Sequence, residues 1–143
     1  MIVLDTNVLS ALMAAKRNPG ILAWADRFRV EDFWTTTITI FVLRHGIERV
    51  KDPVRRADLD AMYKRVILAM TGDRLLSIDE GAANAAAVLK ARREKDGVVQ
   101  EIRDTLIAGI SVAHGATLAT RNVRHFANAG VPLVDPWDEA ADT

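Results

Sequence analysis

The chain has 143 residues, half of them apolar, and its 19 Lys and Arg residues balance 19 Asp and Glu residues. This length predicts one domain over residues 1–143, and the zero net charge argues against a broadly cationic nucleic-acid binder. The absence of cysteine excludes disulfides, thiolate-bound zinc and a cysteine nucleophile. No apolar run reaches the roughly 18 residues of a membrane span, and the first residues do not resemble a signal peptide, so we expect a cytoplasmic protein.

Short apolar segments alternate with helical patterns along the chain. The predicted strands cover residues 2–4, 33–36, 75–78, 117–120 and 132–134, and the predicted helices cover about 8–15, 20–29, 37–50, 54–70, 80–95 and 101–114. We expect Thr6 or Asn7 to cap the first helix and Asp79 to cap the fifth. Strands that alternate with helices predict an α/β fold, a mostly parallel sheet of four to five strands flanked by helices.

Polar residues follow two of these strands. Asp5 and Thr6 come directly after the first strand, while Arg121 and Asn122 come after the fourth. Open parallel sheets bind ligands outside the carboxyl ends of their strands, so these residues are expected to meet at one edge of the sheet.

Asp5 and Asp104 are the carboxylates best placed for chemistry. The structural alternative is that Asp5 caps a helix and that Asp104 is an exposed acid favoured by a helix dipole. Asp104 shares a helix face with Ala108 and Ser111, and such small residues would let the helix approach another backbone and draw the carboxylate inward. Two converging carboxylates repel each other unless a cation lies between them, which is how Mg²⁺ is bound. The pattern therefore indicates an acidic magnesium-type pocket.

Four segments resemble PIN-domain proteins, in particular VapC-type toxins of bacterial VapBC toxin–antitoxin pairs in their FitB-like branch. They occur in the family's order and read MIVLDTNVLSAL, TTITIFVLRHGIE, RDTLIAGISVAHGATLATRN and VPLVDPW. The resemblance implies a parallel sheet flanked by helices and an acidic site that binds Mg²⁺ or Mn²⁺. It also implies that metal-activated water cleaves RNA phosphodiesters and leaves a 5′-phosphate.

The resemblance assigns roles to individual positions. Asp5 and Asp104 match catalytic acids that bind the metal, and Asn122 matches a fourth polar catalytic position. Positions that orient the acids and their waters through hydrogen bonds match Thr6, Asn7 and Thr120.

One position departs from the family pattern. The family run resembles I-T-x-x-E-L-R-x-G, and here Val42 stands where Glu is expected, between matching Thr39 and Arg44. Valine offers no lone pair to a metal. Glu48 lies on roughly the opposite side of the helix, and Glu101 is at best a partial substitute. We therefore expect weak or absent nuclease activity, from either an inactivating substitution or a natural degenerate member.

The remaining expectations concern basic residues and partners. Arg44 and Arg121 are candidate RNA phosphate ligands, with Arg103 and Arg124 as further members of a basic rim, although ordinary surface charge is the alternative. His45, His114 and His125 are interpreted as structural or surface residues, with an RNA contact as the alternative for His125. The resemblance implies a VapB-like antitoxin, an RNA substrate, operator DNA bound only through the antitoxin, a homodimer and no membrane. A non-catalytic PIN module in an antitoxin complex, or a generic α/β domain whose aspartates are caps, is the alternative.

Overall fold

The structure is a computed structural model that describes residues 1–14, 16 and 18–141. Five parallel strands form one sheet in the order β3-β2-β1-β4-β5. The strands are β1 (Ile2–Leu4), β2 (Phe33–Thr36), β3 (Leu75–Leu76), β4 (Thr117–Ala119) and β5 (Leu133–Val134). The predicted α/β fold with a parallel sheet is confirmed.

Helices connect and cover these strands. They are α1 (Thr6–Met13), α2 (Pro19–Ala25), α3 (Thr37–Glu48), α4 (Pro53–Met70), α5 (Glu80–Lys95), α6 (Ile102–Ala113), α7 (Val123–Phe126) and α8 (Pro136–Ala141). Within the described ranges, none of these helices is long and apolar enough to cross a membrane.

The sheet separates two hydrophobic clusters. Along β1, Leu4 packs in the cluster with Trp24 and Phe33, whereas Val3 packs in the cluster with Ile107 and Leu118. Successive side chains of a strand point to opposite faces, so one short strand serves both clusters. The central strand that carries Asp5 at its end is thereby fixed from both sides.

Close packing of α5 on α6 sets the position of Asp104. A Cβ atom built on Gly109 of α6 would lie only 2.6 Å from the Cβ of Ala86 and 2.8 Å from the backbone nitrogen of Ala86 and the carbonyl oxygen of Ala82. The predicted close approach of this helix does occur, but its contact residue is Gly109. Ala108 and Ser111 are fully buried beside it.

Several predicted boundaries were wrong. The first helix is capped by Asp5 instead of Thr6 or Asn7, because an Asp5 carboxylate oxygen accepts a hydrogen bond from the Thr6 backbone at 2.8 Å. Its predicted end at Ala15 lies outside the described residues. Helix α2 ends at Ala25, well before residue 29. Strand β3 pairs with β2 only at Leu75 and Leu76, and the chain then turns toward Asp79, which caps α5.

Candidate active site

A cleft of about 560 Å³ opens beyond the carboxyl ends of β1 and β4. We call it the acidic cleft, and its walls combine residues from both ends of the chain. It is lined by Asp5, Thr6, Asn7, Ser10, Val42, Glu101, Arg103, Asp104, Asn122 and His125. The two aspartates that the sequence singled out therefore face one cleft.

Asp5 is both a helix cap and a buried acid. The backbone N–H of Asp5 donates to the Ala119 carbonyl at 3.0 Å, which joins the end of β1 to β4. One carboxylate oxygen accepts from the Thr6 backbone, and the other accepts from the Thr120 hydroxyl at 2.8 Å. Burial raises the pKa of Asp5 above its ordinary value, the Thr120 and Thr6 hydrogen bonds oppose this rise, and the Asp104 charge adds to it.

Asp104 approaches the cleft from the first turn of α6. Its side chain is 23% exposed, and one carboxylate oxygen lies 3.6 Å from Nδ1 of His125. Burial raises the pKa of Asp104, the nearby His125 side chain opposes this rise, and the nearby Glu101 charge adds to it. Both acids are thus held where their charged forms are poorly solvated.

A set of hydrogen bonds fixes the floor of the cleft around Thr120. The Thr120 hydroxyl accepts from the Asn122 backbone at 3.0 Å and lies 3.5 Å from the Asn7 amide nitrogen. The Asn7 amide oxygen accepts from the Arg121 backbone at 3.2 Å, and the Thr6 hydroxyl donates to that of Thr39 at 3.2 Å. The residues expected to orient the acids therefore contact Asp5 or one another.

Val42 forms an apolar wall of the same cleft. Glu48, which is six positions further along α3, instead pairs with Arg44 at 3.1 Å and does not line the cleft. Glu101 does line it, but its carboxylate accepts from Nε of Arg103 at 2.8 Å. Across the described residues, no group of three His, Cys, Asp or Glu side chains is close enough to hold a metal ion.

The structure does not bring the guanidinium groups of Arg44 and Arg121 into the acidic cleft. Arg44 forms ion pairs with Asp60 and Glu48 and lies over the Tyr63 ring at 5.3 Å. Arg121 lies over the Trp137 ring at 5.0 Å. The basic residue that lines the cleft is Arg103.

His125 is a cleft residue that sequence reasoning interpreted as structural or surface. The short helix α7, which was not predicted, turns back after β4 and presents His125 to Asp104. Phe126 anchors this turn because its ring is almost fully buried. In the sequence, Asn122 follows the strand, and a single aromatic residue, Phe126, comes soon after it. This segment is too short to show a helical period.

Comparison with known proteins places the chain in one family. The family model described as the PIN domain matches residues 2–131. The chain therefore belongs to the PIN-domain family.

Individual relatives narrow this assignment. The VapC ribonuclease Y4jK of Sinorhizobium fredii is 35% identical over 140 residues, which cover 98% of this chain and 100% of that protein. The crystal structure of FitAcB from Neisseria gonorrhoeae is similar with a TM-score of 0.86 and 31% identity, over 96% of this chain and 99% of that chain. The structure of FitAB bound to an IR36 DNA fragment is similar with a TM-score of 0.86 and 30% identity, over 96% of each chain. The resemblance to VapC- and FitB-type proteins read from the sequence is confirmed.

Proposed function

We propose that this protein is a metal-dependent endoribonuclease toxin of a type II toxin–antitoxin pair that hydrolyses RNA phosphodiesters. The observation that carries the proposal is that Asp5 and Asp104, from opposite ends of the chain, line one cleft at the carboxyl edge of the sheet. The similarity to a VapC ribonuclease over nearly the whole chain supports it.

The donor set fits Mg²⁺ or Mn²⁺, with Asp5 and Asp104 as the metal ligands. The pKa of each carboxyl group is raised by burial, and the Asp104 charge raises that of Asp5 further, so a divalent cation between them would relieve an existing cost. Two carboxylates completed by waters and a substrate phosphate are the usual set for Mg²⁺. When bound, the ion supplies a Lewis acid and lowers the pKa of a bound water.

The other polar residues of the cleft then have distinct roles. Thr120 and Asn7 hold the Asp5 carboxylate, and Thr6 links α1 to Thr39 of α3, so together they keep the acid in one orientation. Asn122 lies at the exposed rim, where its amide is placed to donate to a phosphate oxygen.

Val42 makes the activity weak or absent in this form. Its side chain adds an apolar surface to a cleft in which a third carboxylate would orient the attacking water. Losing one positioned acid or base typically slows a reaction by about 10²–10⁴-fold. The same observation favours a second function, that of a non-catalytic PIN module that acts within an antitoxin complex.

The test is RNA cleavage by the Val42→Glu variant in Mg²⁺. We expect it to cut RNA about 10²–10⁴-fold faster than the chain with Val42. The matched control is Val88→Glu, which adds the same charge at an exposed position of α5. If Val42→Glu is folded and cuts no RNA, the non-catalytic module is the better description. If the unsubstituted chain and Val42→Glu cut RNA equally fast, the nuclease proposal stands and the role given to Val42 fails.

The partners follow from the family. We infer a cytoplasmic, single-domain protein that forms a homodimer and is bound by a VapB-like antitoxin, with operator DNA contacted only through that antitoxin. The similarity to FitAB, which was solved bound to DNA, supports this assembly. Co-expression with the product of a neighbouring short gene, followed by size-exclusion chromatography, tests the antitoxin and the homodimer together.

A further inference from the structure

A second cleft, of about 190 Å³, adjoins the acidic cleft and carries the opposite charge. The two clefts share Glu101 and His125 as common walls. Arg93 and Arg124 also line this second depression, so we call it the basic cleft. An RNA strand that crosses the shared walls would pass from the two aspartate carboxylates of the acidic cleft to the two guanidinium groups of the basic cleft.

Arg93 is the residue of the basic cleft whose environment favours a bound ligand. Its side chain rises from the last turn of α5 and is only 9% exposed. One guanidinium nitrogen donates to the Ala127 carbonyl, but the buried Nε has no hydrogen-bond partner. Among the side chains that the structure describes, no carboxylate lies within ion-pair distance of Arg93. A buried cation is costly unless it is paired, so this arrangement suits an anion.

The surroundings of Arg93 favour an anion as well. Arg124, which is exposed on α7, adds a second positive charge. The one carboxylate in the wall is that of Glu101, and Arg103 already pairs with it at 2.8 Å. Gln100 is occupied too, because it donates to the His125 carbonyl at 2.8 Å and accepts from Thr105. The net charge available to a ligand is therefore positive.

We propose that the basic cleft binds an RNA phosphate that neighbours the one in the acidic cleft, with Arg93 and Arg124 as its ligands. This inference rests on the proposed nuclease function. Guanidinium groups match phosphate oxygens in charge and in planar geometry. A polynucleotide carries a phosphate on every residue, so one strand occupies two adjoining sites. Val99, which is 99% exposed at the rim, offers an apolar surface to the intervening ribose or base.

The test is binding of a fluorescently labelled, single-stranded oligoribonucleotide by the full chain, measured by anisotropy in EDTA over a series of salt concentrations. EDTA prevents cleavage and leaves the contacts made by protein cations. We expect Arg93→Gln and Arg124→Gln each to weaken binding about tenfold at low salt. Each should also reduce the slope of log Kobs against log salt by about 0.7, the loss of one phosphate contact on a single strand.

Two further variants separate this role from general charge and from folding. Arg65→Gln, at an exposed position of α4 that lines neither cleft, should leave the affinity and the slope unchanged. Arg124→Gln decides the result if Arg93→Gln unfolds, because the Arg124 side chain is exposed. A salt slope of Arg124→Gln equal to that of Arg65→Gln would overturn the proposal, as would an unsubstituted chain that binds no RNA.

Poly-L-aspartate is the competing probe. If Arg124→Gln loses binding to poly-L-aspartate but keeps its affinity for RNA, the cleft takes an acidic peptide and the proposal is wrong. Failure of the nuclease proposal has a different signature. In that case Val42→Glu cuts no RNA, while RNA binding still depends on Arg93 and Arg124.

Discussion

The carboxylate of Asp60 and the two carboxylates of the acidic cleft have opposite electrostatic environments. On the α3–α4 surface, Lys64 at 2.8 Å and Arg44 hold the pKa of Asp60 below its ordinary value. In the acidic cleft, burial raises the pKa of both Asp5 and Asp104. Neither cleft acid pairs with a Lys or Arg side chain within the part of the chain that the structure describes.

The difference separates an acid whose charge is neutralised within the fold from two acids whose charges are not. Asp60 has its cations on its own helix and on the neighbouring helix α3, so its charge is neutralised within the fold. The cleft acids are placed where their charge is costly, and His125 near Asp104 offsets only part of this cost. A fold that keeps such a cost commonly does so at a functional site.

The largest effect on stability is expected where packing positions the cleft. Gly109→Ala would force a methyl group within 3 Å of Ala86 and of the backbone of Ala82, so α5 and α6 must separate. We expect a loss of about 1–3 kcal/mol in the free energy of unfolding, measured by urea denaturation.

Gly46 of α3, in the region of the α3–α4 surface, provides the matched control. A Cβ atom at Gly46 meets nothing within 4 Å. Gly46→Ala should therefore stabilise the protein by about 0.5–1 kcal/mol, because alanine loses less backbone entropy in a helix. Equal effects at the two positions would contradict the tight α5–α6 packing.

Burial makes the negative charge of Asp104 unfavourable in the metal-free protein. In metal-free buffer at neutral pH, Asp104→Asn should raise the Tm by a few degrees, which corresponds to about 1 kcal/mol or less. The reason is that the variant no longer carries a charge that burial disfavours. A fall in Tm on this substitution would show that the Asp104 charge is already stabilised within the apo fold.

The pH dependence of stability should have opposite signs in the two regions. A raised folded-state pKa means that the contribution of Asp5 and Asp104 is fully present below the unfolded value of about 3.9 and is lost as pH rises through the folded value. The lowered pKa of Asp60 makes its contribution present above the unfolded value and lost as pH falls. Thermal unfolding of the apo protein across acidic pH, compared with Asp104→Asn and Asp60→Asn, checks both signs.

The smallest effect is expected at Asp60. Its ion pairs lie at the surface, where such pairs contribute little and are screened by salt. Asp60→Asn should therefore cause a slight decrease in Tm that disappears at high salt. A large, salt-independent loss would contradict the surface character of this cluster.

Much of the fold followed from local sequence patterns. The strand 2–4 ends abruptly at Asp5, and Asp79 precedes a long helix that begins at residue 80 as expected. The carboxyl ends of β1 and β4 share an edge of the sheet, and the first turn of α6 brings Asp104 to the acidic cleft at that edge, beside Asp5. These features depend on periodicity and on chain order, both of which a single sequence contains.

The features that were missed depend on contacts between distant segments. Arg44 lies on the same helix as Val42, but its partner Asp60 comes from α4, so its direction could not be read from α3 alone. His125 reaches Asp104 through a helix of four residues, which is too short for a periodic signal. Asp5 caps α1 and lines the cleft at once, so the two interpretations weighed for it were not exclusive.

The most direct test of the account is a Mg²⁺ titration of thermal stability. If Asp5 and Asp104 hold the ion, Mg²⁺ raises the Tm of the unsubstituted chain, and its free energy of unfolding increases by about 2.7 kcal/mol at one hundred times Kd. Asp5→Asn and Asp104→Asn should each abolish that rise, while Asp58→Asn, an exposed acid of α4, should keep it. No stabilisation of the unsubstituted chain, or an undiminished rise in Asp104→Asn, would contradict the account.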